Sequence, residues 1–184
     1  MPAYRRLRRP GGTYFFTLCL ADGGMDHLTE HAALLRVCFQ RTMAAKPFRI
    51  DAISVLPDHL HMVITLPAGD DDYSNRISAI KGSFSRNLPK GVAEVKRPAR
   101  RKERGIWQRR FWEHTISGAA DLEKHIGYCH WDPVRHGVVK SAEDWALSSI
   151  HRNKLRGGIV GKLGPTRPCD RIKFGERSCV DRVV

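Results

Sequence analysis

The chain has 184 residues, enough for one compact domain with tails and a sizeable core. Its 32 Lys and Arg against 19 Asp and Glu leave a net charge of +13, which favours a polyanionic partner, nucleic acid above an anionic membrane surface. No apolar run approaches the ~18 residues of a membrane span. Five cysteines, odd in number and without C-x-x-C spacing, argue against a disulfide framework or a zinc knuckle and fit a reducing compartment.

The N-terminus opens with a basic arm, residues 1–12, carrying Arg5, Arg6, Arg8 and Arg9. Basic residues ahead of the apolar run 14–20 outline a secretory leader. Gly11 and Gly12 interrupt it, however, and no small-x-small cleavage site follows, so a cytoplasmic location is expected. Thr13–Leu20, rich in Tyr, Phe and Thr, reads as a strand. Glu30–Ala45 has apolar residues at helical spacing, with Thr29 as its cap and Pro47 as its stop. Phe48–Leu56 reads as a second strand, Pro57-Asp58 as a turn, and His59–Leu66 as a third strand hairpin-paired with the second. The acidic run Asp70–Asp72 is expected to be a solvated loop.

Ser74–Leu88 places Ile77, Ile80 and Phe84 on one helical face. Residues 89–110 form a basic loop without periodicity up to Gly105; Lys96–Arg110 holds eight basic residues and one acid. Phe111–Ile116 reads as a fourth strand. Ser117 is expected to cap a helix that Pro133 ends near Asp132. Beyond Trp145 the pattern weakens, and residues 151–184 are expected to be a basic, poorly structured tail. The order is β-α-β-β-α-β plus a further helix over 13–150. That is an α+β, ferredoxin-like split βαβ antiparallel sheet, an architecture that by itself decides no function.

Two constellations carry chemistry. In the strand beginning at His59, residues two apart share a face, so His59 and His61 project together while Leu60, Met62 and Ile64 point into a core. Two adjacent imidazoles can share a divalent ion. On the last helix, Tyr128 and Asp132 are four apart and share a face. A phenol is a poor nucleophile while protonated, and a nearby cation favours its phenolate. Each pair alone has a bland reading: histidines at a strand end, or a tyrosine covering the sheet beside an Asp that closes a helix. Together they supply three ligands to Mg²⁺ or Mn²⁺, and zinc is not excluded by ligand type.

The order of motifs then resembles a known family. Tyr4-Arg5-Arg6 with Gly11–Thr17, Leu56–His61, Ile80-Lys81 with Phe84-Ser85-Arg86, Gly105–His114, and Tyr128–Val134 with His136-Gly137 match in unbroken sequence. The pattern resembles the REP-associated tyrosine transposases, part of the single-tyrosine, His-hydrophobic-His superfamily of small bacterial insertion sequences. The resemblance implies that His59 and His61 bind metal and that Tyr128 is the nucleophile. The position four beyond the tyrosine would be the third ligand. The family usually has Asn there; Asp132 keeps an oxygen ligand and adds charge. Cys129 replaces a usual aliphatic residue and reads as core filling.

The implied reaction is metal-dependent cleavage and rejoining of single-stranded DNA through a 5′-phosphotyrosine, at hairpins formed by repetitive extragenic palindromes. It needs no nucleotide cofactor, and the chain has no phosphate-binding G-x-x-x-x-G-K-[ST] loop. Candidate DNA contacts are Arg5, Arg6, Arg8, Arg9, Lys81, Arg100, Arg101, Lys102, Arg104, Arg109 and Arg110. Trp107 and Trp112 are candidates to stack on bases, with packing favoured for Trp112. Two rivals stand: a ferredoxin-like nucleic-acid-binding module without catalysis, and a zinc-dependent phosphodiesterase with water as nucleophile. The sequence leaves open whether the working unit is a monomer or a homodimer.

Overall fold

A computed structural model describes residues 7–22, 24–89 and 105–161. Four strands form one antiparallel sheet: β1 Thr13–Cys19, β2 Arg49–Val55, β3 His59–Thr65 and β4 Trp112–Thr115, in the order β2-β3-β1-β4. This is the expected split βαβ sheet. The two central strands are almost wholly buried because both faces of the sheet are covered.

Alternation sorts the side chains. Tyr14, Phe16 and Leu18 of β1 and Leu60, Met62 and Ile64 of β3 join one core with helices α2 (Ala32–Ala45) and α3 (Tyr73–Asn87). Phe15 and Val63, with Ala52 of β2, face the opposite way and pack with Ile126 and Cys129 of helix α4 (Ala119–Arg135). Cys129 is therefore core filling, as its replacement of an aliphatic residue implied.

Several local expectations are corrected. The helix expected from Glu30 is broken at His31 into α1 (His27–Glu30) and α2, and Thr29 lies inside α1, its hydroxyl donating to the Asp26 carbonyl. The acidic run is structural rather than merely solvated. Asp72 caps α3 by accepting from the Asn75 N–H, and Asp70 pairs at 2.6 Å with the buried Arg76 guanidinium. Arg76 also donates to the carbonyls of Lys46, Pro47 and Asp72. A buried guanidinium is stable only when its donors are so occupied. Ser117 does not cap α4; instead its N–H and hydroxyl donate to the Asp121 carboxylate in the first turn.

Pro133 does not end α4. The helix runs through it to Arg135, although proline cannot donate to the Cys129 carbonyl. Termination comes at Gly137, whose φ of 66° lies in the left-handed region that glycine enters freely.

The expected boundary at residue 150 falls at the start of helix α5 (Ile150–Leu155). The preceding segment runs along the outer edge of β2: Trp145 Nε1 donates to Val55 O, Val55 N to Leu147 O and Ser149 N to Ile53 O. Arg152 and Asn153 then donate to the carbonyls of Ile50 and Asp51. An edge strand's unpaired backbone groups are thereby satisfied. No helix among the described residues is long and apolar enough to cross a membrane.

Candidate functional site

His59 and His61 project from β3 toward α4, as the two-residue period requires. Their rings lie 5.1 Å apart, and both are buried. Each presents Nε2 to the same carboxylate oxygen. His59 Nε2 is 3.3 Å and His61 Nε2 is 3.4 Å from Asp132 Oδ2. Each uses Nδ1 elsewhere: His59 Nδ1 bonds Asp58 Oδ1 at 2.7 Å, and His61 Nδ1 bonds the Thr17 hydroxyl at 3.0 Å. Tying Nδ1 to an oxygen while Nε2 faces inward is how metal-binding imidazoles are oriented.

Asp132 is buried, and its Oδ1 makes no hydrogen bond, with Arg135 Nε and His136 Nε2 each 3.4 Å away. Burying a carboxylate costs several kcal/mol unless positive charge is supplied. Burial works to raise the Asp132 pKa. His61, His136 and His59 outweigh it and hold the carboxyl far below its usual range. Burial likewise opposes charge on His59, but hydrogen bonds to Asp132 and Asp58 lift its pKa to about 10. Two imidazole nitrogens and carboxylate oxygens at these separations fit Mg²⁺, Mn²⁺ or Zn²⁺.

Tyr128 sits one turn before Asp132 on the same face of α4. Its ring lies edge-on to His61 at 5.1 Å and to Phe15 at 5.8 Å. The Arg135 guanidinium lies 5.0 Å from the ring centre. The tyrosine, the two histidines and Asp132 expected to act together are therefore brought together. Four further residues complete the arrangement: Asp58, Thr17, Arg135 and His136. The His59 and His136 rings are 5.0 Å apart, and His59, Asp132 and His136 could share one ion. Arg135 and His136 lie just beyond Pro133, so reading that proline as a stop hid them. His130 is structural: its Nδ1–H donates to Val160 O, and its Nε2 accepts from Ser149 Oγ.

The candidate DNA contacts divide. Arg5, Arg6, Arg100, Arg101, Lys102 and Arg104 lie outside the described residues. Arg109 and Arg110 are exposed. Arg8 faces Asp71 at 3.8 Å, and the Arg9 backbone exchanges hydrogen bonds with the Tyr14 hydroxyl. Lys81 donates to Gln108 O at 2.7 Å. Trp107 is mostly packed, edge-on to Phe84 at 5.5 Å. Trp112 packs edge-on to Phe15 at 5.7 Å, as favoured.

The family model for IS200-like transposases matches residues 27–130. The REP-associated tyrosine transposase of Escherichia coli K12 is 40% identical over 157 residues, covering 85% of this chain and 87% of that protein. A Haemophilus influenzae protein described under the same name is 42% identical over 154 residues, covering 83% and 88%. A solved REP-associated tyrosine transposase bound to a REP hairpin superposes with a TM-score of 0.75 at 37% identity, covering 89% of this chain and 96% of that one. The chain belongs to the REP-associated tyrosine transposases.

Proposed function

We propose that this transposase cleaves and rejoins single-stranded DNA beside hairpins formed by repetitive extragenic palindromes, using Tyr128 as nucleophile and a divalent ion held by His59, His61 and Asp132. The observation that carries the reading is the convergence of two Nδ1-anchored histidines on Asp132, with the Tyr128 ring 5.1 Å from His61. A hairpin is the ligand of the solved relative, and the net charge of +13 suits a phosphate backbone.

His59 and His61 would hold the ion through Nε2 and Asp132 through a carboxylate oxygen, with His136 adjacent. When bound, the ion draws charge from a phosphate oxygen. Tyr128 Oη attacks phosphorus, the bond to the leaving 3′-oxygen breaks, and a 5′-phosphotyrosine forms. A 3′-hydroxyl then attacks that phosphorus and releases the tyrosine. One phosphodiester replaces another, so no nucleotide cofactor is required. Arg135, beside the ring, favours the phenolate and can also pair with phosphate. Asp58 and Thr17 keep the imidazoles aimed.

Incubating the protein with Mn²⁺ and a labelled hairpin-bearing single strand is expected to give a denaturation-resistant adduct that Tyr128→Phe loses completely. Cleavage without an adduct would establish the phosphodiesterase alternative, and binding without cleavage the non-catalytic module. Mn²⁺ isotherms on Asp132→Ala test the third ligand; unchanged affinity removes it from the set.

A further inference from the structure

Away from Tyr128, the short helix α1 carries another set of metal-binding side chains that the proposed chemistry does not use. His27-Leu28-Thr29-Glu30-His31 has the H-x-x-E-H spacing with which zinc enzymes set two histidines on one helical face. The helix breaks at His31, yet that residue keeps both of its helical hydrogen bonds. Its N–H donates to the His27 carbonyl at 3.0 Å, and its carbonyl accepts from Leu35 N at 3.0 Å. His27 and His31 therefore stay one turn apart on one face, with ring centres 6.2 Å apart, and Glu30 shares that face. One ligand atom from each of the three lies within 4.8 Å of the others.

His27 is 9% exposed. Its Nδ1 meets Glu30 Oε2 at 3.3 Å, while its buried Nε2 makes no hydrogen bond among the described residues. Buried side-chain polar atoms normally have such a partner. The 3.3 Å gap lies beyond the usual range of about 2.7–3.2 Å for an N–H···O bond. It suits two donors on one tetrahedral zinc ion, which lie about 3.4 Å apart when each is about 2.1 Å from the metal. Glu30 is exposed and His31 half-buried, so both can turn toward the fixed ring of His27, and water can take a fourth position. Two imidazoles and one carboxylate favour an imidazole-seeking ion over magnesium or calcium.

We propose that His27, Glu30 and His31 bind one zinc-class divalent ion, at a site separate from His59, His61 and Asp132, and that this ion locks α1 against the start of α2. The position of α1 gives the site a consequence. Leu28, fully buried between two of the ligands, donates its N–H to the Pro57 carbonyl at 3.1 Å, and Leu20 N donates to Asp58 O at 2.7 Å. The turn held in this way carries Asp58, whose carboxylate anchors His59 Nδ1. An ion on α1 therefore stiffens the support of the proposed metal centre without being part of it. The site does not depend on the cleavage reading.

The test titrates the full chain with Zn²⁺ alone, in a calorimeter. The background is the paired change His59→Ala and His61→Ala, which removes the central imidazoles. This protein is expected to bind an equivalent of Zn²⁺ that His31→Ala or Glu30→Gln weakens by about tenfold or more, since loss of even a group behind a ligand costs that much. Both positions reach the surface, so these changes spare the fold. His114→Ala should leave the equivalent in place, because His114, Asp121 and His125 form a different group. The same comparison in the otherwise unaltered chain, where His31→Ala should remove one Zn²⁺ equivalent, covers a loss of folding in the background. Bound Zn²⁺ should also slow hydrogen exchange at the Leu28 amide about tenfold, and His31→Ala should cancel that slowing. Absence of Zn²⁺ binding in the folded background protein, binding that survives both His31→Ala and Glu30→Gln, or binding that disappears with His114→Ala overturns the site. Binding that leaves Leu28 exchange unchanged overturns the link to the Pro57-Asp58 turn.

Discussion

At the C-terminal end of α4, Asp132 faces His59, His61 and His136 across 3.3–3.4 Å. At its N-terminal end Asp121 faces His114 of β4 at 2.8 Å and His125 at 3.0 Å, and those two rings stack 4.5 Å apart and nearly parallel. The same residue types serve two ends here. In the first set His59 and His61 meet one carboxylate oxygen through Nε2 and have Nδ1 anchored elsewhere. The second is closed by direct hydrogen bonds: Asp121 also accepts from Ser117, and His125 Nδ1 donates to the Asp121 carbonyl. The second cluster pins α4 to the edge strand, and its three ligand atoms also lie close enough together to hold an ion. Phe15 lies between the two, 5.0 Å from His125 and 5.8 Å from Tyr128.

Experiments that attack one cluster and spare the other sharpen this contrast. The largest effect is expected from the paired change His59→Ala and His61→Ala, which should lower the Mn²⁺-dependent cleavage rate by at least ~10³-fold, equivalent to several kcal/mol of lost stabilisation. Single-turnover assays on a hairpin strand would measure it, and retention of full rate would remove the histidines from the mechanism. Asp58→Asn should weaken Mn²⁺ binding by about 10–100-fold, since it loosens the orientation of His59 without removing a ligand. Calorimetric titration reads that change.

At the clamp, His114→Ala should cost about 1 kcal/mol in urea unfolding, the loss of a partly exposed hydrogen bond. It should leave Mn²⁺ stoichiometry unchanged; a lost equivalent of metal would make the clamp a metal site after all. The smallest effect is in pH. Burial depresses the His125 pKa below its usual value. Asp121 is depressed as well, because hydrogen bonds from His114 and Ser117 outweigh its own burial. For both groups the unfolded chain takes up a proton first, so stability falls as pH drops. The His125 contribution is lost below ~6.5, the reference value, and that of Asp121 in more acidic solution. Because His59, with its raised pKa, gains stability over the same window, the check is the difference: from pH 7 to pH 5 the unfolding midpoint should fall less, or rise more, in His125→Gln than in the unaltered protein.

The amino-acid sequence alone determined whatever depends on short spacings. Two-residue alternation put His59 and His61 on one face of a strand, and four-residue spacing put Tyr128 and Asp132 on one face of a helix. Both follow from backbone geometry that every strand and helix shares. The β-α-β-β-α-β order was legible for the same reason.

Only the tertiary structure decided the remainder. Thr17 became the partner of His61 because β1 and β3 pair in a register that places them opposite. Arg135 and His136 joined the site because packing on the sheet carries α4 through Pro133, overriding a local preference worth about 3 kcal/mol. Residues 145–153 became part of the fold because the outer edge of β2 needed hydrogen-bond partners. Each of these joins groups that lie far apart in the chain or sets packing against local propensity, and neither is encoded in a short window of residues.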